Sequence, residues 1–285
     1  MFVRFEHSQS IKRLLKESPA VVALLAANIL LFALKWLLAP ATAPGEPLVD
    51  NPLDVLLALH FPYSPDFHIW QFLSHMFMHG NETHILFNMF GVFTFGSLLE
   101  QVWGTKRFVV FYLVAGLGAS LIYTGLNVYE FGTYIDFLGT YNVSTESIQS
   151  FLATRVPNSE LASRLSIEEL VTFYGIYNGS MLGASGALYG ILVAFAVLFP
   201  NGKIMLIFLP VPIKAKYFVP AIVGFDLFSE LTGFSIFGGG IAHTAHIGGA
   251  LIGFILMMYW KKDLPDASHF IEPDENEEED PHLGR

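Results

Sequence analysis

Gly183-Ala184-Ser185-Gly186-Ala187-Leu188-Tyr189-Gly190 opens an apolar run that ends near Phe199, and a serine at the head of such a run decides how the chain is read. Two other apolar runs carry similar intruders. Ala245-His246-Ile247-Gly248-Gly249 lies near the start of a run ending at Trp260, and His79, His84 and Asn88 fall in the run from Trp70 to Leu99. Hydrocarbon makes such groups costly, so an ionisable side chain within it marks a functional site by default. A serine, a histidine and side-chain donors together point to nucleophilic catalysis inside a membrane.

Composition supports the membrane setting. The 285 residues are 53% hydrophobic and only 14% charged, against about 25% charged in globular domains; the mean hydropathy is +0.51. Apolar stretches long enough to cross a bilayer recur at 20–39, 71–98, 108–126, 182–199, 217–232 and 242–260. The short stretch Ile204 to Val211 is broken by Pro210 and Pro212 and reads as an interfacial hairpin or re-entrant piece. The chain has no cysteine, which excludes disulfides, thiolate catalysis and Cys-ligated zinc. No dense basic patch suggests nucleic acid. The net charge of −10 owes much to seven acidic residues between Glu272 and Asp280, read as a solvated, disordered end. The first apolar run is too long for a signal-peptide core and is read as a span.

Orientation follows from Lys and Arg. With the N-terminus inside, twelve basic residues fall in inner segments and two, Arg155 and Arg164, in outer ones; Lys35 can snorkel at the outer end of the first span. The expected fold is an all-α polytopic membrane protein with six transmembrane helices and both termini cytoplasmic. Its parts are an N-terminal segment 1–19, a core 20–262 that includes a long outer segment 127–180, and an acidic tail 263–285. Within the outer segment, Ser166-Ile167-Glu168-Glu169 fits a capping box and predicts a short helix. The segment shows no chemistry and reads more as a passive insertion than as a cover.

This topology puts Ser185 and His246 near the outer ends of spans four and six, at similar depth. A serine hydroxyl needs an adjacent base to take its proton, and His246 is the candidate. Gly186-x-x-x-Gly190 and Gly249-x-x-x-Gly253 give the two helices small faces for close approach. Tyr189 shares a face with Ser185 and can stack on His246. Asp226 sits beside Glu230, near the outer water boundary, and Tyr189 is preferred over it for holding the ring. His84 and Asn88, four residues apart, can donate to an oxyanion with the Ser185 backbone N–H. His79 reads as structural, tying the outer loop to span two, and His75 likewise. His75-x-x-x-His79 and His243-x-x-His246 have ligand-like spacing, yet no His-Glu-x-x-His occurs, so no metal is expected. A water-accessible cavity on the outer side is expected, hydrated by the polar run His79 to His84.

These motifs together, in order and on one side, resemble the rhomboid family of intramembrane serine proteases. They are His75-x3-His79-x4-His84-x3-Asn88, Gly183-x-Ser185-Gly186 and Ala245-His246-x2-Gly249-x3-Gly253, with the Trp103-Gly104 stretch between Glu100 and Arg107 also family-like. The resemblance, taken to cover Ala20 to Lys262, implies a rhomboid-like six-helix bundle and a Ser185–His246 dyad. It implies oxyanion donors at His84, Asn88 and the Ser185 backbone, with Tyr189 in support. It also implies a lateral gate at span five, transmembrane-protein substrates cut in or near a membrane helix, a lipid surround and no cofactor. Many members carry Trp-Arg before span two where this chain has Trp70-Gln71. The alternative is an inactive relative that binds transmembrane clients; a transporter is a third reading. Localisation is expected to be an integral multi-pass membrane protein, suited to a bacterial inner membrane. Oligomeric state is not readable.

Overall fold

A computed structural model describes residues 16–40, 50–206, 209–234 and 242–260. The acidic tail and most of the N-terminal segment lie outside them. Helix α1 (Pro19–Leu37) is followed by the short α2 (Pro52–Leu57), the strand β1 (Leu59–His60) and one turn of helix, α3 (Gln71–Ser74), that runs into a 3₁₀ turn at His75–Phe77. Then come α4 (Glu82–Gly91), a π-helical turn (Val92–Gly96) and α5 (Ser97–Trp103), which together form one 22-residue helix. Helix α6 (Thr105–Thr140) leads to α7 (Thr145–Thr154), α8 (Ser159–Ala162) and α9 (Ile167–Asn178). The chain then passes through β2 (Ser180–Met181), α10 (Ser185–Leu198), β3 (Lys203–Leu206), β4 (Leu209–Lys214), α11 (Ala215–Thr232) and α12 (His243–Trp260).

The protein is mostly helical, with two two-stranded antiparallel ladders that an all-α expectation did not contain. One pairs β1 with β2, Leu59 opposite Met181. The other pairs β3 with β4, Lys203 opposite Lys214, over the stretch around Ile204 to Val211 expected to be either a hairpin or a re-entrant piece. Among the described residues, three helices are long and apolar enough to cross a membrane by length and composition: α1, the α4–α5 helix and α6. Helix α10 is apolar but has 14 residues.

Span two begins later than its apolar run. Met78 at the end of the 3₁₀ turn is extended, and the helix restarts behind Asn81, whose side chain accepts from the His84 N–H at 2.9 Å. His75 and His79 therefore sit in the irregular entry, not on the long helix. Span three is longer than the stretch 108–126. At 1.5 Å per residue α6 is about 54 Å long, well beyond the roughly 30 Å of hydrocarbon. The continuation buries Phe131 and Leu138, seven residues apart on one face, against the outer segment.

The outer segment has its own core. Phe131, Leu138, Phe151, Leu152, Leu161, Leu165, Leu170 and Phe173 pack with Phe61 from the first outer loop. Ser166 and Glu169 form the expected capping box at the start of α9, each accepting the other's backbone N–H. The Glu169 carboxyl is held below its usual range, chiefly by that backbone bond.

The bundle core lies among α1, α4–α5, α6, α10, α11 and α12, with Val21, Met76, Phe108, Phe111, Ala187, Ile191 and Phe195 buried. Its outward face is apolar as well: Leu30 is 70% exposed, Leu86 65% and Ile255 53%. Such a collar suits lipid, not water. The N-terminal end of α1 is closed from a distance. Its Ala20 and Val21 N–H groups each donate to the Glu100 carboxylate at 2.9 Å, supplying acceptors the first turn lacks. Thr105 Oγ1 donates to the same carboxylate at 2.8 Å.

At the outer end Lys35 does more than snorkel. Its ammonium lies 2.7 Å from Asp54 and donates to the His79 carbonyl at 3.0 Å. Gln71, fully buried, organises the first outer loop. Its amide nitrogen donates to the carbonyls of Asp66 (2.8 Å) and Val55 (3.1 Å), and its oxygen accepts the N–H groups of His68 (3.1 Å) and His60 (3.2 Å).

Candidate active site

Small residues set the backbone approach that builds the site. Helices α10 and α12 meet glycine on glycine. A Cβ at Gly249 would fall on the Gly186 carbonyl oxygen, and one at Gly253 would lie 2.5 Å from the Gly190 Cα. Helix α6 joins the same interface, because a Cβ at Gly186 would meet the Ala119 Cβ at 2.7 Å and one at Gly190 the Ala115 Cβ at 2.7 Å. The small faces on α10 and α12 were legible as repeats; the alanines of α6 were not, since alanine in an apolar helix carries no signal.

Ser185 opens α10. Gly183 before it has φ +127°, a conformation that side chains rarely adopt, and its N–H donates to the His75 carbonyl at 2.9 Å. The turn that presents Ser185 is thereby tied to the entry of span two. The first N–H groups of α10 have no acceptor within the helix and carry its positive end.

His246 comes from the first turn of α12, and its Nε2 lies 2.9 Å from Ser185 Oγ. The hydroxyl donates in that pair when the ring carries its proton on Nδ1. Tyr189 stacks flat on the imidazole, 4.3 Å between centroids and 12° between planes. Both Ser185 and His246 are half-buried.

Of the remaining expected residues, His84 reaches the site. A Cβ at Gly183 would lie 2.8 Å from His84 Nε2 and 3.6 Å from Ser185 Oγ, so the ring and the hydroxyl flank the same glycine. Asn88 is buried one turn along, and its Nδ2 donates to the His84 carbonyl at 3.1 Å, which leaves one amide hydrogen for another partner. His79 is buried with its ring 5.0 Å from that of His84. It ties the outer loop through its carbonyl, not its ring; the ring nitrogens have no hydrogen-bond partner among the described residues.

Asp226, set behind Tyr189 as the residue to hold the ring, also meets His246. It is 4% exposed, on the face of α11 that meets α12. Both carboxylate oxygens lie 3.4 Å from His246 Nδ1, and Oδ1 makes a short contact with His243 Nδ1. Nothing in the sequence fixes how α11 is rotated against α12. The ligand-type atoms of Asp226, His243 and His246 lie within 4.8 Å of one another, so this cluster is where a divalent cation could be held.

A family model for the rhomboid domain matches residues 66–140 and 159–262. It leaves out α1, which the motifs alone had included, and skips α7. Over 251 residues the chain is 26% identical to the mitochondrial presenilin-associated rhomboid-like protein of Mus musculus, covering 86% of this chain and 51% of that protein. It is 24% identical over 197 residues to the rhomboid protease AarA of Providencia stuartii, covering 66% and 54%. Against the rhomboid protease GlpG of Haemophilus influenzae it is 33% identical over 64 residues, 22% of this chain and 33% of that one. The chain spans about half the length of the curated relatives with the longest matches. With the family model covering well over half of its residues, this chain belongs to the rhomboid family.

Proposed function

We propose that the chain is an intramembrane serine endopeptidase that cuts transmembrane proteins in or near their membrane helix, with six spans and both termini cytoplasmic. The observation that carries the reading is the 2.9 Å approach of His246 Nε2 to Ser185 Oγ. Ser185 Oγ attacks the scissile carbonyl carbon while its proton passes to Nε2, and the carbonyl electron pair moves onto oxygen. His84, Asn88 and the Ser185 N–H, at the positive end of α10, are the donors for that oxyanion. When the intermediate collapses the C–N bond breaks, and the Nε2 proton goes to the leaving nitrogen. Water then enters from the outer side, gives a proton to Nε2, and releases the acyl group by the reverse sequence. Tyr189 holds the imidazole plane throughout.

Cleavage of a single-span reporter in proteoliposomes, together with fluorophosphonate labelling, tests this. Ser185→Ala and His246→Ala are expected to abolish cleavage, and labelling is expected at Ser185 alone. Folded protein that is never labelled at Ser185 favours the client-binding alternative. Chelation is expected to leave labelling unchanged; a loss that zinc restores would make the Asp226, His243 and His246 cluster a metal site.

A further inference from the structure

The dyad leaves one question of chemistry open: what chooses the protonation pattern of His246. The base works only if Nε2 is bare when it faces Ser185, which requires the ring's single proton to sit on Nδ1. Tyr189 fixes the plane of the ring, but a stacked face is indifferent to which nitrogen carries the proton. An Nδ1–H between packed helices needs an acceptor.

We propose that Asp226 is a positioning residue for the hydrolysis described above, an inference that rests on that reading. Its carboxylate accepts the Nδ1 proton of His246, holding the tautomer that leaves Nε2 bare toward Ser185, while His243 Nδ1 anchors the same carboxylate through Oδ1. Three observations carry this. Both Asp226 oxygens face His246 Nδ1 at equal distance, 3.4 Å. The carboxylate is buried where an unpaired charge is costly, and the two histidines are the partners that meet it. Tyr189 also approaches the same carboxylate, so the ring's stacking partner and its acceptor are registered to each other. A separation of 3.4 Å is long for a formed hydrogen bond. Catalytic bonds are commonly long in the free enzyme and tighten as charge develops. When His246 becomes imidazolium, Asp226 stabilises it and keeps its own charge; no proton passes to the carboxylate.

The role is therefore split over three helices: nucleophile on α10, base on α12, tautomer selector on α11. A mere clip between α11 and α12 would use the same contacts, and the test separates the two. In the full chain, Asp226→Asn is expected to lower kcat for the reporter and the rate of fluorophosphonate labelling by about 10²–10⁴-fold, with KM little changed. Asp226→Glu is expected to recover part of the loss, because it restores an anionic acceptor. Asp226→Asn that labels at the wild-type rate, or that raises KM alone, overturns the proposal. Where the Asn variant does not fold, ¹⁵N NMR of histidine-labelled wild type decides: a proton on Nδ1 of His246 supports it, a proton on Nε2 overturns it. Wild type unlabelled at Ser185 would instead sink the proposed protease, an outcome distinct from failure of Asp226 alone.

Discussion

Two parts of the molecule are packed by opposite means. The interface of α6, α10 and α12 is built from what is missing: Gly186, Gly190, Gly249 and Gly253 let backbones touch, with Ala115 and Ala119 filling the third side. The outer core is built from bulk, with the Phe131 and Phe173 rings 5.1 Å apart and those of Phe61 and Phe131 4.9 Å apart. The solvents explain the contrast. Between helices in lipid, burying a large apolar side chain gains little over leaving it in hydrocarbon, so close backbone approach must do the work. Where water is the alternative, the hydrophobic effect operates and aromatic area is the strongest source of it. The first method fixes positions tightly, which suits a nucleophile and base that must meet within a hydrogen bond. The second tolerates variation, and it is here that the family model skips residues.

The largest expected effect comes from putting bulk where the first region has none. Gly249→Val drives a side chain into the Gly186 backbone and separates Ser185 from His246; labelling should fall by about 100-fold or more, since a misplacement near 1 Å is enough. Phe173→Ala in the outer core should cost about 3–5 kcal/mol of stability, read by thermal unfolding, while the protein that stays folded keeps labelling at Ser185. Equal loss of labelling in both variants would break the distinction between a precise region and a tolerant one. Gln71→Arg sharpens the border between them. Arg is a donor only, so the N–H groups of His60 and His68 lose their acceptor, and a loss of about 1–3 kcal/mol is expected.

The smallest effect is electrostatic and local. The Glu169 carboxyl is held below its usual value of 4.5 by the Ser166 backbone N–H. A depressed folded value means the contribution is fully present at neutral pH and is lost as pH falls through it, below about 4.5. Amide exchange in the first turn of α9 should quicken over that range, and Glu169→Gln should remove the dependence.

Much of this was legible in the chain. Glycines at four-residue spacing announced the α10–α12 contact, and the capping box announced α9. The order and side of the apolar runs put Ser185 and His246 at one depth. What escaped depends on rotation and on long-range partners. Asp226 reads as a boundary residue because the turn of α11 about its axis is set by packing, not by its neighbours in sequence. The outer core escaped because Leu161, Leu165 and Leu170 lie in short polar segments whose apolar faces meet only after α6 has carried Phe131 and Leu138 out to them. His79 escaped in part, since a backbone carbonyl's partner, Lys35, carries no sequence signal.

Glu100 bears on where the functional unit begins. It lies inside the region that defines the family, is 1% exposed, and spends both oxygens on the start of a helix outside that region. A fragment starting at residue 66 would retain the carboxylate and its Thr105 donor but lose the two N–H donors from α1, at a cost of about 1–3 kcal/mol. The contact ties α1 to the region by which the chain's kinship is recognised, as the counterpart of a side chain 80 residues away.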